Sequence, residues 1–293
     1  MSIESILVLT ALLSFLLFAL LARLVQQMLW KVRAVEVLTG DDADAPGIPY
    51  AGYYFGVLVV STAVLDGSRP FFTESPAAFE LAPYLVRIIV HGAIGIIGLA
   101  LFGRMGIHLL MKTNIRAGIA ANNLAAGTVA AAAYVSTSMV LAGALSGNSS
   151  GGDLRVTILF LLISIGTLWS ATVLFRFLTG YNDAQQIVRG NMAAALSYAG
   201  MMSASGLIIA HAVEGDFTGY ENAFLLYGKS LLALLFFYPV RQFLVQSILL
   251  GGPLKLYGGL LDEEVGERNN IGAGAVEAAS YLVAAVIALR LGY

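Results

Sequence analysis

The sequence contains no cysteine and very little charge. Without cysteine, the chain can form no disulfide, no thiolate metal site and no cysteine nucleophile. Charged residues make up only 12% of its 293 positions, whereas 58% are hydrophobic. An average soluble domain is roughly 25% charged, so this chain lacks about half of the charge that would cover a water-soluble fold. The composition therefore indicates a protein that lies in lipid.

The sequence also has too few basic residues and too few histidines for several classes of function. The net charge is −2, and no run of lysine or arginine resembles a stripe that binds nucleic-acid phosphates. The three histidines are scattered and lack paired carboxylates, so we expect no metal site and no cofactor. The sequence has no G-x-S-x-G, H-E-x-x-H or Walker pattern. We therefore expect a protein that is not an enzyme.

Long apolar segments are what the sequence has in abundance. A membrane-spanning helix needs about 17–25 apolar residues, and these runs are too long and too little alternating for barrel strands. The first run carries Glu4 instead of a basic region and is followed by no cleavage pattern, so we interpret it as a retained span. Eight helices are predicted at about 4–34, 49–65, 82–112, 118–145, 155–179, 190–213, 223–250 and 269–291.

The basic residues are distributed unequally between the two ends of these helices. Eleven of the sixteen lie on one side and only three on the other. Connections rich in lysine and arginine stay in the cytoplasm. The bias therefore predicts that the connections within helix pairs 1–2, 3–4, 5–6 and 7–8 are cytoplasmic and that both termini lie outside.

An internal repeat organises the even-numbered helices. Asn123, Asn191 and Asn270 open the segments NLAAGTVAAAAY, NMAAALSY and NIGAGAVEAASY. Asparagine at a helix start can accept a hydrogen bond from an unpaired N–H, and the small residues that follow let helices approach closely in lipid. The odd-numbered helices are bulky, and each has an arginine near its inner end that is expected to extend to the headgroups. These arginines are Arg23, Arg104, Arg176 and Arg241.

The repeat predicts an all-α, polytopic membrane protein built from four helical hairpins. The first hairpin is degenerate, because its second helix begins YAGYYFG at Tyr50 instead of with asparagine. We expect the even-numbered helices to form the packed centre and the odd-numbered helices to face lipid. Two four-helix membrane units are predicted, at residues 1–147 and 148–293.

The helix-start motifs resemble a known family. The stretches VRGNMAAAL and DEEVGERNNIGAGAVEAA are similar to those of the domain of unknown function 350 family. Members of that family are bacterial inner-membrane proteins of about four spans. The resemblance thus implies two tandem copies in an inner membrane, and an uncharacterised activity. Such proteins are often linked to peripheral membrane proteins of the phage-shock type, which maintain a stressed inner membrane.

Ionisable residues inside the apolar segments are the candidate site residues, because they are costly in lipid. Glu277 is the only acid in the interior of a predicted span, and Lys229 on the preceding helix lies at a depth from which its side chain could reach Glu277. We predict a buried Lys229–Glu277 ion pair, and favour a structural role for it over an ion path.

Arg87 and His91 are four residues apart and so share one face of helix 3. Arg87 is expected to extend toward the acids near the outer interface, which are Asp66, Glu74 and Glu80. For His91 we favour a hydrogen bond to a hydroxyl of helix 4 over a role in a proton path.

Two hypotheses of function remain open. The first is a non-enzymatic, oligomeric inner-membrane component of envelope maintenance, whose cytoplasmic connections bind a peripheral partner. The acidic connection 262–267 and the basic amphipathic extension 26–37 are its candidate contact surfaces. The alternative is an ion channel or secondary transporter with a polar layer at mid-membrane. Inverted repeats, which are typical of transporters, would alternate in orientation. All four hairpins here have the same orientation, which favours a parallel arrangement.

Overall fold

Eight long helices account for most of the described chain. The computed structural model describes residues 3–30, 34–40, 44–67, 81–111, 115–146, 154–215, 217–255 and 257–292, and these ranges contain no strand. All eight helices are long and apolar enough to cross a membrane, which confirms the predicted all-α, polytopic class. They are α1 (Ile3–Trp30), α2 (Asp44–Asp66), α3 (Leu81–Met111), α4 (Leu124–Ser146), α5 (Leu154–Arg176), α6 (Met192–Val213), α7 (Tyr220–Leu249) and α8 (Ile271–Arg290).

Short helical segments precede the even-numbered helices. They are Ala34–Thr39 before α2, Ile115–Ala120 before α4, Asp183–Val188 before α6, and Leu260–Asp262 with the π-helical turn Glu263–Glu267 before α8. The last three segments lead into Asn123, Asn191 and Asn270. These asparagines therefore lie at one end of the bundle, which is called the asparagine end below.

Helix α7 changes its type of winding along its length. It begins as the α-helix Tyr220–Leu231 and passes through the 3-10 turn Leu232–Phe236 before it ends as the π-helix Val240–Leu249. Pro239 precedes the π-helix and has no N–H for an intrahelical hydrogen bond, which is a recognised cause of such irregularity. The π-helical part places Arg241 in the protein interior, where it is 1% exposed.

The even-numbered helices form a central row in the order α2, α4, α6, α8, in which each helix packs on the next. In the most apolar part of α4 and of α6, 72% of the residues are buried, compared with 22% in α1 and α7. The bulky side chains of α1 and α7 are largely exposed, as expected for helices that face lipid. The predicted division between a small-residue centre and a bulky periphery agrees with these four helices, whereas α8, at the end of the row, is 44% buried, as is α5.

Glycines set the distance between helices of the row. A Cβ atom at Gly52 would lie 2.6 Å from the Cα of Ala131, and one at Gly200 would lie 2.4 Å from the Cα of Ala278. Backbones this close exclude any side chain, so the α2–α4 and α6–α8 contacts both depend on glycine. Close packing of this kind supplies much of the association between helices in lipid, where the hydrophobic effect between helices is weak.

The reciprocal contacts repeat in the same way. A Cβ atom at Gly127 of α4 would lie 2.6 Å from the carbonyl oxygen of Ala45, and one at Gly274 of α8 would lie 2.3 Å from that of Ala193. The α2–α4 pair and the α6–α8 pair thus share one packing geometry. The sequence repeat is therefore also a repeat of helix contacts.

We predict that Gly200→Ala destabilises the protein by about 1–3 kcal/mol, because the new methyl group must push α6 and α8 apart. The matched control is Gly166→Ala in α5, where an added Cβ atom meets nothing within 4 Å. Alanine is the better helix former, so the control should be neutral or slightly stabilising. Thermal or detergent-induced unfolding of the purified variants measures the difference. Equal stability of the two variants would contradict the proposed backbone contact.

Candidate functional site

The three helix-start asparagines cap their helices. The Oδ1 atoms of Asn123, Asn191 and Asn270 accept hydrogen bonds from the backbone N–H three residues later, at 3.1, 2.9 and 3.2 Å. The first N–H groups of a helix have no partner within the helix, and such caps satisfy one of them. The capping role predicted from the sequence pattern is observed at all three positions.

The residue before each cap has a positive φ angle. Asn122, Gly190 and Asn269 have φ values of 57°, 87° and 52°. Left-handed backbone is accessible to glycine and is tolerated best by asparagine among the other residues. This turn was not predicted from the sequence, although the pairs Asn-Asn, Gly-Asn and Asn-Asn are typical of it. The sharp turn explains why each connection can enter the next helix directly.

The amide groups of two caps also join neighbouring hairpins. Asn123 Nδ2 donates to two carbonyl groups at the end of the helix Asp183–Val188, at 2.9 and 3.1 Å. In the same way, Asn191 Nδ2 donates to the carbonyl oxygens of Val265 and Gly266, at 2.8 and 3.1 Å. Each of these asparagines therefore fixes the short helix of the following hairpin against its own helix start.

A second pair of hydrogen bonds runs in the opposite direction along the row. Asn122 Oδ1 accepts from the N–H of Ala45 at 2.8 Å, and Asn269 Oδ1 accepts from the N–H of Ala193 at 3.0 Å. These N–H groups lie at the starts of α2 and α6 and would otherwise lack partners. Side chains at the start of one even-numbered helix thus satisfy the backbone of its neighbour.

Arginines near the asparagine end bind the ends of neighbouring helices instead of extending to headgroups as predicted. Arg104 Nη1 donates to the carbonyl oxygen of Leu29, in the last turn of α1. Arg176 Nη1 donates to the carbonyl oxygen of Leu110, in the last turn of α3. Terminal carbonyl groups lack intrahelical donors and carry partial negative charge, which makes them suitable partners for guanidinium groups.

A buried cluster surrounds the third such side chain, Arg241, and is called the Arg241 cluster. Arg241 Nε donates to Glu277 Oε1 at 2.6 Å, and its Nη2 forms an ion pair with Asp262 Oδ1. With the Gln242 amide oriented to suit its neighbours, Gln242 Oε1 accepts from Arg241 Nη1 at 2.9 Å. Tyr281 donates its hydroxyl proton to Glu277 Oε1 at 2.9 Å. The cluster joins α7, the connection after it and α8.

The cluster corrects the predicted partner of Glu277. Glu277 is fully buried and binds Arg241, whereas the side chain of Lys229 is exposed. The position of Lys229 in the sequence indicates a suitable depth in the membrane, but not the direction in which its side chain leaves the helix. Arg241 was expected to reach the headgroups, and the π-helix turns it inward instead.

Two carboxylates and one guanidinium group leave the Arg241 cluster with an excess of acidic groups. Burial raises the pKa of Asp262, and the adjacent Arg241 opposes that rise. Glu277 Oε2 is buried and has no hydrogen-bond partner among the described residues. The cluster consequently attaches α7 to α8 and to the connection between them, and this attachment depends on the one cation, Arg241.

The third hairpin contains a smaller version of this arrangement. Arg176 Nε lies 3.6 Å from Asp183 Oδ2, and the Arg176 guanidinium group lies 5.9 Å from the centre of the Tyr198 ring. Burial raises the pKa of Asp183 to about 7, although the positive charge of Arg176 opposes the shift.

Arg87 and His91 lie away from this end of the bundle. Both are in the first half of α3, and both are only partly exposed. His91 Nδ1 donates to the carbonyl oxygen of Arg87 at 3.0 Å, so its bond is within its own helix and not with α4 as predicted. Glu74 and Glu80, two expected partners of Arg87, lie outside the described residues. The structure does not bring these two residues together with Glu277.

No group of three or more histidine, aspartate or glutamate side chains could hold a metal ion in the part of the chain that the structure describes. The clusters at the asparagine end consist of guanidinium groups that are bound by carboxylates and carbonyls. These contacts attach helices to one another, because Arg241 of α7 binds Glu277 of α8 and Asp262 of the connection between the two helices.

The repeated geometry corresponds to a known family. The family described as Domain of Unknown Function (DUF350) matches residues 1–145 and 149–290. The chain belongs to this family. It contains two tandem DUF350 copies, as the helix-start motifs predicted, with α1–α4 in the first copy and α5–α8 in the second. No curated protein and no solved structure matches the chain.

We predict that Arg241→Met destabilises the second DUF350 copy by about 3–5 kcal/mol, because it leaves two buried carboxyl groups without their cation. Adding Glu277→Gln to this variant should restore at least about 1 kcal/mol by removing one of the two acids. Unfolding in mild detergent, followed by tyrosine and tryptophan fluorescence, measures both effects.

Lys229→Met is the matched control, because it also removes a cation from α7 but from an exposed position. It should change stability by less than about 0.5 kcal/mol. Losses that are simply additive in the Arg241→Met/Glu277→Gln double variant would contradict the coupling between the two side chains.

Proposed function

We propose that the protein is a non-enzymatic scaffold of the bacterial inner membrane, with its asparagine end in the cytoplasm and both termini outside. In this proposal several copies of the chain assemble into a homo-oligomer and present their asparagine ends to a peripheral protein that maintains the envelope. The excess of basic residues at that end supports the orientation.

The observation that carries the proposal is how hydroxyl groups inside the spans are satisfied. Ser136, Ser138 and Ser280 donate to carbonyl oxygens three residues earlier in their own helices, at 3.2, 2.7 and 2.7 Å. Groups that are satisfied in this way have little need of water or of a passing ion. These three hydroxyl groups therefore favour static packing over conduction, whereas the buried hydroxyl groups of Ser164 and Tyr198 have no hydrogen-bond partner among the described residues.

The positions of the cavities favour the same interpretation. A cavity of about 480 Å³ opens at the asparagine end, and one of about 290 Å³ opens at the opposite end, beside His211 and Glu214. They share no lining residue. Two separate cavities support a closed bundle better than a continuous path for ions.

The connection between α7 and α8 offers the surface that a partner could contact. Asp262 is buried in the Arg241 cluster, so the acidic surface of this connection is reduced to residues such as Glu263 and Glu267, which are exposed. Leu254 and Tyr257 on the same connection are 63% and 62% exposed. Exposed apolar side chains beside acidic ones are a suitable composition for a protein contact.

We predict that Leu254 and Tyr220 lie on opposite sides of the membrane. The natural chain has no cysteine, so Leu254→Cys and Tyr220→Cys each create a single reactive site. A membrane-impermeant maleimide should label Tyr220→Cys in intact spheroplasts, and should label Leu254→Cys only after the membrane is opened. Labelling of Leu254→Cys in intact spheroplasts would show that the asparagine end lies outside. It would thereby contradict both the proposed orientation and a cytoplasmic partner at that end.

We also predict that purified protein in liposomes conducts no ions above the level of protein-free liposomes. The measurement is the release of an imposed potassium or proton gradient, read by a fluorescent dye. The Arg241→Met variant, which removes the cation of the buried Arg241 cluster, provides the comparison. If the natural protein conducts ions and Arg241→Met changes that flux, the channel hypothesis replaces the scaffold.

A further inference from the structure

The two DUF350 copies differ at the position of the Arg241 cluster. Arg104 lies near the asparagine end of α3 in the first copy, as Arg241 does on α7 in the second. Tyr134 and Tyr281 each lie eleven residues after their helix-start asparagines. The first copy therefore keeps the arginine and the tyrosine of the cluster, in equivalent places.

The first copy lacks both acids of the cluster. Glu277 lies seven residues after Asn270, and the equivalent residue of the first copy is Ala130. Asp262 lies eight residues before the same asparagine, and its equivalent is Ile115. In the second copy, two carboxylates bind Arg241. In the first copy, alanine and isoleucine take the positions of these carboxylates, so Arg104 has no such acidic partners.

The space left by these replacements is a cavity. Arg104, Ala130, Ile115 and Tyr134 all line the cavity of about 480 Å³ at the asparagine end. The cavity therefore lies in the first copy at the place that corresponds to the Arg241 cluster of the second copy. It is open where the second copy has carboxylate side chains. A volume of this size is in the usual range for a bound small molecule or part of one.

The chemistry of the walls indicates an anionic amphiphile. Arg104, Arg116 and His108 line the cavity, and no acidic side chain among the described residues does so. The rest of the wall is largely apolar and includes Trp30, whose ring lies 5.2 Å from that of Tyr50, centre to centre. Guanidinium groups bind phosphate by paired hydrogen bonds, and an aromatic wall suits a hydrocarbon portion.

We propose that the first DUF350 copy binds the phosphate of an anionic phospholipid in this cavity, with Arg104 and Arg116 as its cationic ligands. The lipid phosphate takes the place that Glu277 and Asp262 occupy in the second copy. A membrane lipid is the occupant because the cavity lies at the end of the spans and combines cationic with apolar walls. Basic pockets between transmembrane helices are a known way of binding anionic headgroups.

The two tryptophans of the chain allow a direct test. Trp30 lines the cavity, whereas Trp169 is not among its lining residues. The full-length Trp169→Phe variant is placed in phosphatidylcholine nanodiscs that contain a small fraction of brominated phosphatidylglycerol or brominated phosphatidylcholine. Quenching of Trp30 should indicate a preference for phosphatidylglycerol of about fivefold for each arginine that contacts the phosphate. Equal quenching by the two brominated lipids would overturn the proposal.

Two arginine variants separate a local contact from general attraction to the membrane. Arg104→Gln should lower the preference about fivefold. Arg23→Gln removes the same charge from α1, at an exposed position that does not line the cavity, and should leave the preference unchanged. An equal loss in both variants would show attraction to the surface alone, and would overturn the assigned site.

Ala130→Glu tests the proposal without removing any contact from the fold. It supplies the carboxylate that the second copy has, so it should neutralise Arg104 and fill the cavity. We expect the lipid preference to disappear while the unfolding temperature is kept or raised. A full preference in this variant would contradict the site.

Inorganic phosphate distinguishes the two sources of a phosphate group. At millimolar concentration it should leave the quenching by brominated phosphatidylglycerol unchanged, because it cannot use the apolar walls. If it reduces that quenching to the level of brominated phosphatidylcholine, the ligand is a soluble phosphate, and the lipid assignment is overturned.

Discussion

Direct contact between the backbones of small residues holds the central helices together, and the other helices pack around them. Hydrocarbon offers little hydrophobic drive for one helix to join another, so association requires close packing and paired polar groups. The α2–α4–α6–α8 row meets this requirement through glycines such as Gly52 and Gly200, whose Cα atoms approach alanine backbones. Bulky helices then need only cover the row, which explains why α1 and α7 expose so many large apolar side chains.

Close approach of the even-numbered helices also brings their starts together, and the asparagines use this proximity. A helix start in lipid has N–H groups that must find partners, and a side chain from the next helix start is within reach. Asn122 and Asn269 satisfy a neighbouring N–H, while Asn123 and Asn191 bind the carbonyl groups of the following hairpin. One residue type therefore caps its own helix and fixes its neighbour.

Hydropathy and local capping made the spans and the helix-start asparagines predictable from the sequence, because these features depend on short segments alone. The two DUF350 copies were predicted from the resemblance of the helix-start motifs to that family. The partner of Glu277 was not predictable in the same way. It depends on the direction of side chains around α7, and the π-helix at Val240–Leu249 shifts that direction. The predicted hydrogen bond of His91 was wrong for a related reason, since its Nδ1 is directed at the carbonyl group of Arg87, one turn earlier in the same helix, and not at α4.

Duplication of a membrane unit allows its two copies to specialise without losing the shared packing. The glycine contacts and caps are retained in both copies, so neither copy could change them without separating its helices. Positions 130 and 115 are free of that constraint, because their equivalents, Glu277 and Asp262, serve the Arg241 cluster and not the helix row. The second copy uses these positions to fix its own connection by ion pairs. In the first copy the same places border an open cavity with an arginine in its wall, so its cation is available to a molecule from outside the chain.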